Sequence, residues 1–104
     1  AAAQLANRLM IPGLIEYFRI SGDYGIFEIN TPKHLLNKTV VESDIRRKYS
    51  LNLITIKRAV SKLEPGSKEQ SDVTGVPSPD TKILDGDVLV LFGKEKDLKD
   101  LLEV

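Results

Sequence analysis

The chain has 104 residues, about one domain, with 41% hydrophobic and 29% charged residues, an ordinary globular composition. Fifteen lysines and arginines balance fifteen aspartates and glutamates, so the formal charge is zero and no general electrostatic pull toward nucleic acid or anionic lipid is expected. No cysteine is present, which excludes disulfides, thiolate metal sites and thiol catalysis.

Ala1 to Ile11 is alanine-rich, with Leu5 and Leu9 on one helical face, and Pro12-Gly13 stops it. It reads as the end of a helix from a longer protein. Leu14 to Ile20 and Tyr24 to Asn30 read as strands, joined by the turn residues Ser21-Gly22-Asp23 into a hairpin. In the first strand Ile15 and Tyr17 share one face, with Leu14, Phe18 and Ile20 on the other. In the second, Phe27 and Ile29 oppose Ile26 and Glu28. Apolar residues on both faces predict a sheet covered on each side.

Thr39 and Glu42 have capping-box spacing and predict a helix from about Val40 to Tyr49. Val41, Ile45 and Tyr49 would form its buried stripe, and Glu42–Arg46 and Asp44–Lys48 its ion pairs. Leu51 to Arg58 is a third strand. Ser61 to Asp80 is polar and proline-containing, a loop in which a short strand near Asp72 to Val76 could lie. Asp85-Gly86-Asp87 turns into Val88 to Phe92, a continuous apolar run suited to a central strand, which Gly93 ends. A last helix, about Glu95 to Leu102, would pack Leu98, Leu101 and Leu102 on the core. The fold class is α/β, an α+β sandwich: a small mixed or antiparallel sheet with helices. No apolar run approaches the roughly 20 residues of a membrane helix.

Few residues suggest chemistry. His34 is the sole histidine and has no cysteine or second histidine with which to build a transition-metal site; it reads as a loop residue. No serine sits in a nucleophile-elbow pattern, and the glycines form no phosphate-binding loop. Asp85 and Asp87 around a glycine are ordinary turn chemistry, with cation binding or acid–base work as the alternative. Arg46, Arg47 and Lys48 remain. They are either a solvated helix face or an anion-capturing cluster, because the arginine fork matches phosphate oxygens bidentately.

One segment carries a resemblance. Asp44-Ile45-Arg46-Arg47-Lys48-Tyr49, followed by Asn52, Ile54, Ile56, Lys57 and Arg58, resembles the C-terminal lobe of the RCK family, the TrkA-C domain of Ktr- and Trk-type potassium uptake regulators and channels. Ile15-Glu16-Tyr17 through Ile26-Phe27-Glu28-Ile29 resembles the family's opening hairpin. Pro77-Ser78-Pro79-Asp80-Thr81 and Asp85 to Gly93 resemble its closing segment. The resemblance implies a connecting helix at residues 1–12, from a preceding nucleotide-binding lobe, and a TrkA-C ligand-binding domain at residues 13–104. It implies a non-enzymatic gating subunit that pairs as a homodimer. That subunit would be cytoplasmic, peripheral to a membrane potassium transporter or channel reached through the missing N-terminal lobe, with no nucleic acid partner and no membrane insertion of its own. Some such lobes bind cyclic di-AMP in the dimer cleft. By the motif match, Ile45 and Arg46 would meet its phosphate and Asn52 and Leu53 its base. Pro77 would wall the pocket, and Ile54 joins the ligand-binding set. The loop from Ser61 to Val76 departs from the family's tight hairpin by its length.

Two other readings compete. The chain could be an assembly lobe without a small ligand, docking through apolar surface around Ile54 and Ile56. It could be a divalent-cation sensor using Glu28, Asp44, Asp85 and Asp87, although these show no clustered ligand spacing.

Overall fold

The computed structural model describes residues 11–59 and 71–103. The expected helix at Ala1 to Ile11 and residues 61–70 of the polar stretch lie outside these, Ile11 excepted. Strands β1 (Leu14–Ser21), β2 (Tyr24–Asn30), β3 (Asn52–Ala59), β4 (Ser71–Val73) and β5 (Val88–Lys94) form one sheet in the order β1-β2-β5-β3-β4. Every pairing in it is antiparallel. The continuous apolar run at Val88 to Phe92 takes the central place, and the short strand expected near Asp72 is β4.

Among the described residues three helices accompany the sheet, α1 (Val40–Ser43), α2 (Ile45–Tyr49) and α3 (Glu95–Leu102), with one 3₁₀ turn at Lys33–Leu35. None is long and apolar enough to cross a membrane. Phe27, Ile29, Leu89, Leu91 and Ile56 project from one face of the sheet and meet Ile45, Leu98 and Leu101 of the helices in a continuous core. Burying each such side chain contributes about 1.5–3 kcal/mol.

The prediction of a sheet covered on both faces is corrected. Among the described residues the helices cover one face only, and Phe18 and Ile20 stay more than half exposed on the hairpin. The face assignment in β1 is corrected as well. Leu14 packs on the core beside Tyr17, while Ile15 is exposed. The reason is a register shift between Leu14 and Glu16: one extra residue in a strand turns its neighbours to the opposite face.

The predicted ten-residue helix is broken at Asp44, which adopts a left-handed conformation (φ 55°, ψ 31°). Its two halves have different anchors. The amides of Val40 and Val41 donate to the carbonyls of Thr81 (2.9 Å) and Pro79 (3.1 Å), tying α1 to the segment before β5. Ile45, by contrast, is buried in the core. Aspartate tolerates the left-handed region better than most residues, so the chain bends there. Val41 therefore leaves the expected buried stripe and is 63% exposed. The expected Glu42–Arg46 and Asp44–Lys48 pairs give way to Arg47–Asp44 at 3.3 Å.

The capping box is present: the Thr39 amide donates to Glu42 Oε1 (2.9 Å) and the Glu42 amide to Thr39 Oγ1 (3.2 Å). The bond from the Thr39 amide, and next the Thr39 hydroxyl, hold the Glu42 carboxyl below its ordinary value of 4.5. A depressed carboxyl favours the folded state above its unfolded pKa. That contribution is lost as pH falls from about 4.5 through the folded value. Glu42→Gln should therefore flatten the acid limb of a melting-temperature profile below that pH and leave the neutral region with little pH dependence. An unchanged acid limb would remove Glu42 from the account.

Gly93 does not end the last strand, which runs on to Lys94. A Cβ at Gly93 would lie 2.5 Å from Leu51 Cδ2, so glycine is there for close approach. At Gly25 a Cβ would lie 2.8 Å from the Phe18 carbonyl oxygen and 2.6 Å from the Tyr17 ring, and the paired backbone cannot yield. Gly25→Ala should cost about 1–3 kcal/mol in urea unfolding; a loss within error would show that the hairpin can move aside.

Candidate functional site

The bend at Asp44 makes a groove. Its floor is Ile45 and half-buried Leu53, one wall is Val40 and Val41 with Arg46 and Arg47, and the opposite wall is Val76, Pro77 and Pro79. Asn52, the first residue of β3, lies along it. The cavity measures about 750 Å³, within the range of small-molecule sites, and its lining is mostly apolar.

Backbone bonds hold the far wall. The Thr74 amide donates to the Ile56 carbonyl (2.9 Å), and the Thr55 hydroxyl donates to the Gly75 carbonyl (2.7 Å). Beyond the prolines, the Ser78 amide donates to Thr81 Oγ1 (3.0 Å) and the Thr81 amide returns to the Ser78 carbonyl (3.0 Å). The antiparallel return of β4 along β3 thus brings Pro77 to the groove, however long the preceding stretch.

The wall is tied further down by an ion pair. Arg58 donates from Nε to Asp87 Oδ1 (2.9 Å) and from a terminal nitrogen to Asp87 Oδ2 (2.8 Å). The same terminal nitrogen reaches the Lys82 carbonyl (3.1 Å), and Asp87 Oδ2 also accepts the Leu84 amide (2.9 Å). Asp87 is 2% exposed, and its hydrogen bond raises the Arg58 pKa. The turn expected at Asp85-Gly86-Asp87 is present, with Gly86 at φ 87°. Its second aspartate does more than turn the chain.

Of the six residues in the expected ligand-binding set, Ile45, Arg46, Asn52, Leu53 and Pro77 surround this one groove, and Ile54 does not line it. Ile54 sits at a register shift between Leu53 and Thr55 and is 37% exposed. The groove also takes in Val41, Val76 and Pro79, which the motif did not point to. Only their exposure in the folded chain could have found them. Arg46 is exposed and pairs with no carboxylate among the described residues.

The other candidates have structural partners. His34 Nε2 lies 2.7 Å from the Leu101 carbonyl, joining the 3₁₀ turn to the end of α3. Of the four carboxylates considered for a cation, Glu28 meets Lys57 (3.1 Å), Asp44 meets Arg47 and Asp87 meets Arg58. Among the described residues no three potential metal ligands converge.

The known proteins similar to this chain agree with the fold. The TrkA-C domain model matches residues 25–104. The Ktr system potassium uptake protein A of Bacillus subtilis (strain 168) is 26% identical over 96 residues, covering 92% of this chain and 38% of that protein. Protein C of the same system and organism is 25% identical over 97 residues, covering 93% and 39%. The chain thus spans about two fifths of the length of these curated relatives. Among solved structures, the RCK C domain of the potassium transport protein KtrA in complex with cyclic diadenosine monophosphate aligns with a TM-score of 0.57 and 25% identity, over 78% of this chain and 82% of that one. The GsuK channel bound to NAD aligns with the same TM-score at 20% identity, over 78% of this chain and 13% of that one, a likeness of fold alone. With the family model spanning most of the chain, and the antiparallel sheet and its helices aligning with an RCK C domain, this chain belongs to the TrkA-C domain family.

Proposed function

We propose that this chain is the ligand-sensing regulatory lobe of a potassium transport system, and that its groove binds cyclic di-AMP between two copies to control gating. The observation that carries the reading is the convergence of Ile45, Arg46, Asn52, Leu53 and Pro77 on one groove from three separate stretches of chain. The exposed guanidinium of Arg46 offers a planar fork to a phosphate, the Asn52 amide offers a donor and an acceptor to a base edge, and Leu53 and Pro77 offer apolar walls. The cyclic dinucleotide held by the KtrA RCK C domain supports the choice of ligand. A ligand with two phosphates and two adenines fits a two-fold dimer that supplies each half-site once. The lobe does no chemistry on its ligand. It would act from the cytoplasmic side on a membrane potassium transporter or channel, through a nucleotide-binding lobe that precedes it.

Isothermal titration of the domain with cyclic di-AMP should give saturable heat at one ligand per two chains, with the dimer seen by light scattering. No heat at high ligand concentration would sink the ligand assignment.

A second reading, an assembly lobe without a small ligand, cannot dock through Ile56 as expected, because Ile56 is buried in the core, and draws instead on the hairpin, where Phe18 and Ile20 are more than half exposed. It expects a dimer whose melting temperature ignores every nucleotide, and dissociation on Phe18→Ser. A cyclic di-AMP-dependent rise in melting temperature would count against it.

A further inference from the structure

A second hollow, of about 460 Å³, adjoins the groove and shares Arg46 and Asn52 with it. Its other lining includes Tyr24 and Phe92. Their rings stack across β2 and β5 with centroids 5.5 Å apart and planes 13° from parallel. Asn52 is the register partner of Phe92 on the next strand, so the aromatic pair and the amide lie side by side on the outer face of the sheet. Tyr24 is 42% exposed, and the Lys94 ammonium stands 5.6 Å from its ring centroid.

We propose that Tyr24 and Phe92 form a stacking shelf for a purine base of a nucleotide whose phosphate is held at Arg46. A cross-strand aromatic pair needs no ligand to stabilise a sheet. This one, however, leaves Tyr24 42% exposed and lines a hollow together with a guanidinium and a primary amide. An aromatic face, a cation for phosphate and an amide for a base edge are the three parts with which proteins hold single nucleotides. Arg46 and Asn52 are then the ridge between the apolar groove, which takes the sugar–phosphate ring, and the aromatic shelf, which takes the one adenine that each copy receives.

The shelf rests on the reading of the groove as a nucleotide site, and the test separates the two. Full-chain protein is titrated with cyclic di-AMP by calorimetry as wild type, Tyr24→Leu and Tyr24→Phe. Loss of one base stack should weaken binding about 5- to 100-fold in Tyr24→Leu. Tyr24→Phe should bind as wild type does, and both variants should melt cooperatively. Unchanged affinity in a folded Tyr24→Leu overturns the shelf and leaves the groove assignment standing. If wild type binds no cyclic di-AMP, the groove assignment falls and the shelf is judged with AMP. A saturable shift of the Tyr24 ring proton resonances with AMP, and none with inorganic phosphate, supports it; no shift overturns it. That last measurement uses wild type alone, so it decides the matter even if Tyr24→Leu does not fold.

Discussion

Asp87→Ala should destabilise this domain by about 3 kcal/mol or more, the largest loss expected of any single polar substitution in it. The carboxylate is 2% exposed and serves three donors at once: two nitrogens of Arg58 and the Leu84 amide. Removing it leaves the guanidinium with only its Lys82 carbonyl contact and the Leu84 amide without its partner in a partly dry place, and that desolvation outweighs the lost attraction. Against a total stability of about 5–15 kcal/mol, such a loss is severe. Arg58→Ala should cost less, because the Arg58 side chain is 38% exposed and the orphaned carboxylate can recruit water. Urea unfolding followed by circular dichroism measures both. A loss under about 1 kcal/mol in Asp87→Ala would mean that the pair is dispensable. Because Arg58 also holds the Lys82 carbonyl, a folded Asp87→Ala should show faster amide exchange at Ile83, whose amide bonds the Lys38 carbonyl behind the groove.

Arg46→Ala should weaken cyclic di-AMP binding by about 100-fold or more and barely change the melting temperature. Each charge-assisted hydrogen bond is worth about 1.5–3 kcal/mol, and a two-fold ligand loses one arginine from each copy, so the effects compound to at least about 3 kcal/mol. Stability should hold because Arg46 is exposed and has no ion-pair partner among the described residues. Arg46→Lys keeps the charge but not the fork and should recover only part of the affinity. Arg47, which already pairs with Asp44, serves as the control: Arg47→Ala should change affinity less than Arg46→Ala. Equal losses in the two variants would point to diffuse attraction and not to a phosphate contact. Full affinity in Arg46→Ala would remove Arg46 from the site.

The elements were legible in the sequence where a local rule governs them. The Thr39–Glu42 box, the strand Tyr24–Asn30, the central run at Val88 and the helix Glu95–Leu102 each follow from spacing that needs no knowledge of distant residues. Where two distant constraints compete, local rules failed. Val40 to Tyr49 has the periodicity of one helix, yet Thr81 and Pro79 pin its first turn while the core takes Ile45, and the chain bends at Asp44. The faces of β1 were misread because a single extra residue reverses alternation, and nothing in Leu14-Ile15-Glu16 announces it. The motif at Asp44 to Arg58 named Ile45, Arg46, Asn52 and Leu53 of the groove. It could not name Val41, Val76 or Pro79, or place Tyr24 and Phe92 beside Arg46, because those neighbours are made by strand pairing across long sequence separations.

The sequence by itself determined the class of the domain, the order of its elements and the family to which it belongs. Composition, periodicity and capping are properties of residues and their near neighbours, and a family motif is a pattern along the chain. The tertiary structure alone decided that Asp44 bends a helix into a groove, that Asp87 is a buried clamp as well as a turn residue, and that Arg46 and Asn52 stand between an apolar cleft and a stacked aromatic pair. Each of these depends on which distant backbone groups and side chains compete for the same space and the same hydrogen bonds, and that competition is settled only when the whole chain is packed.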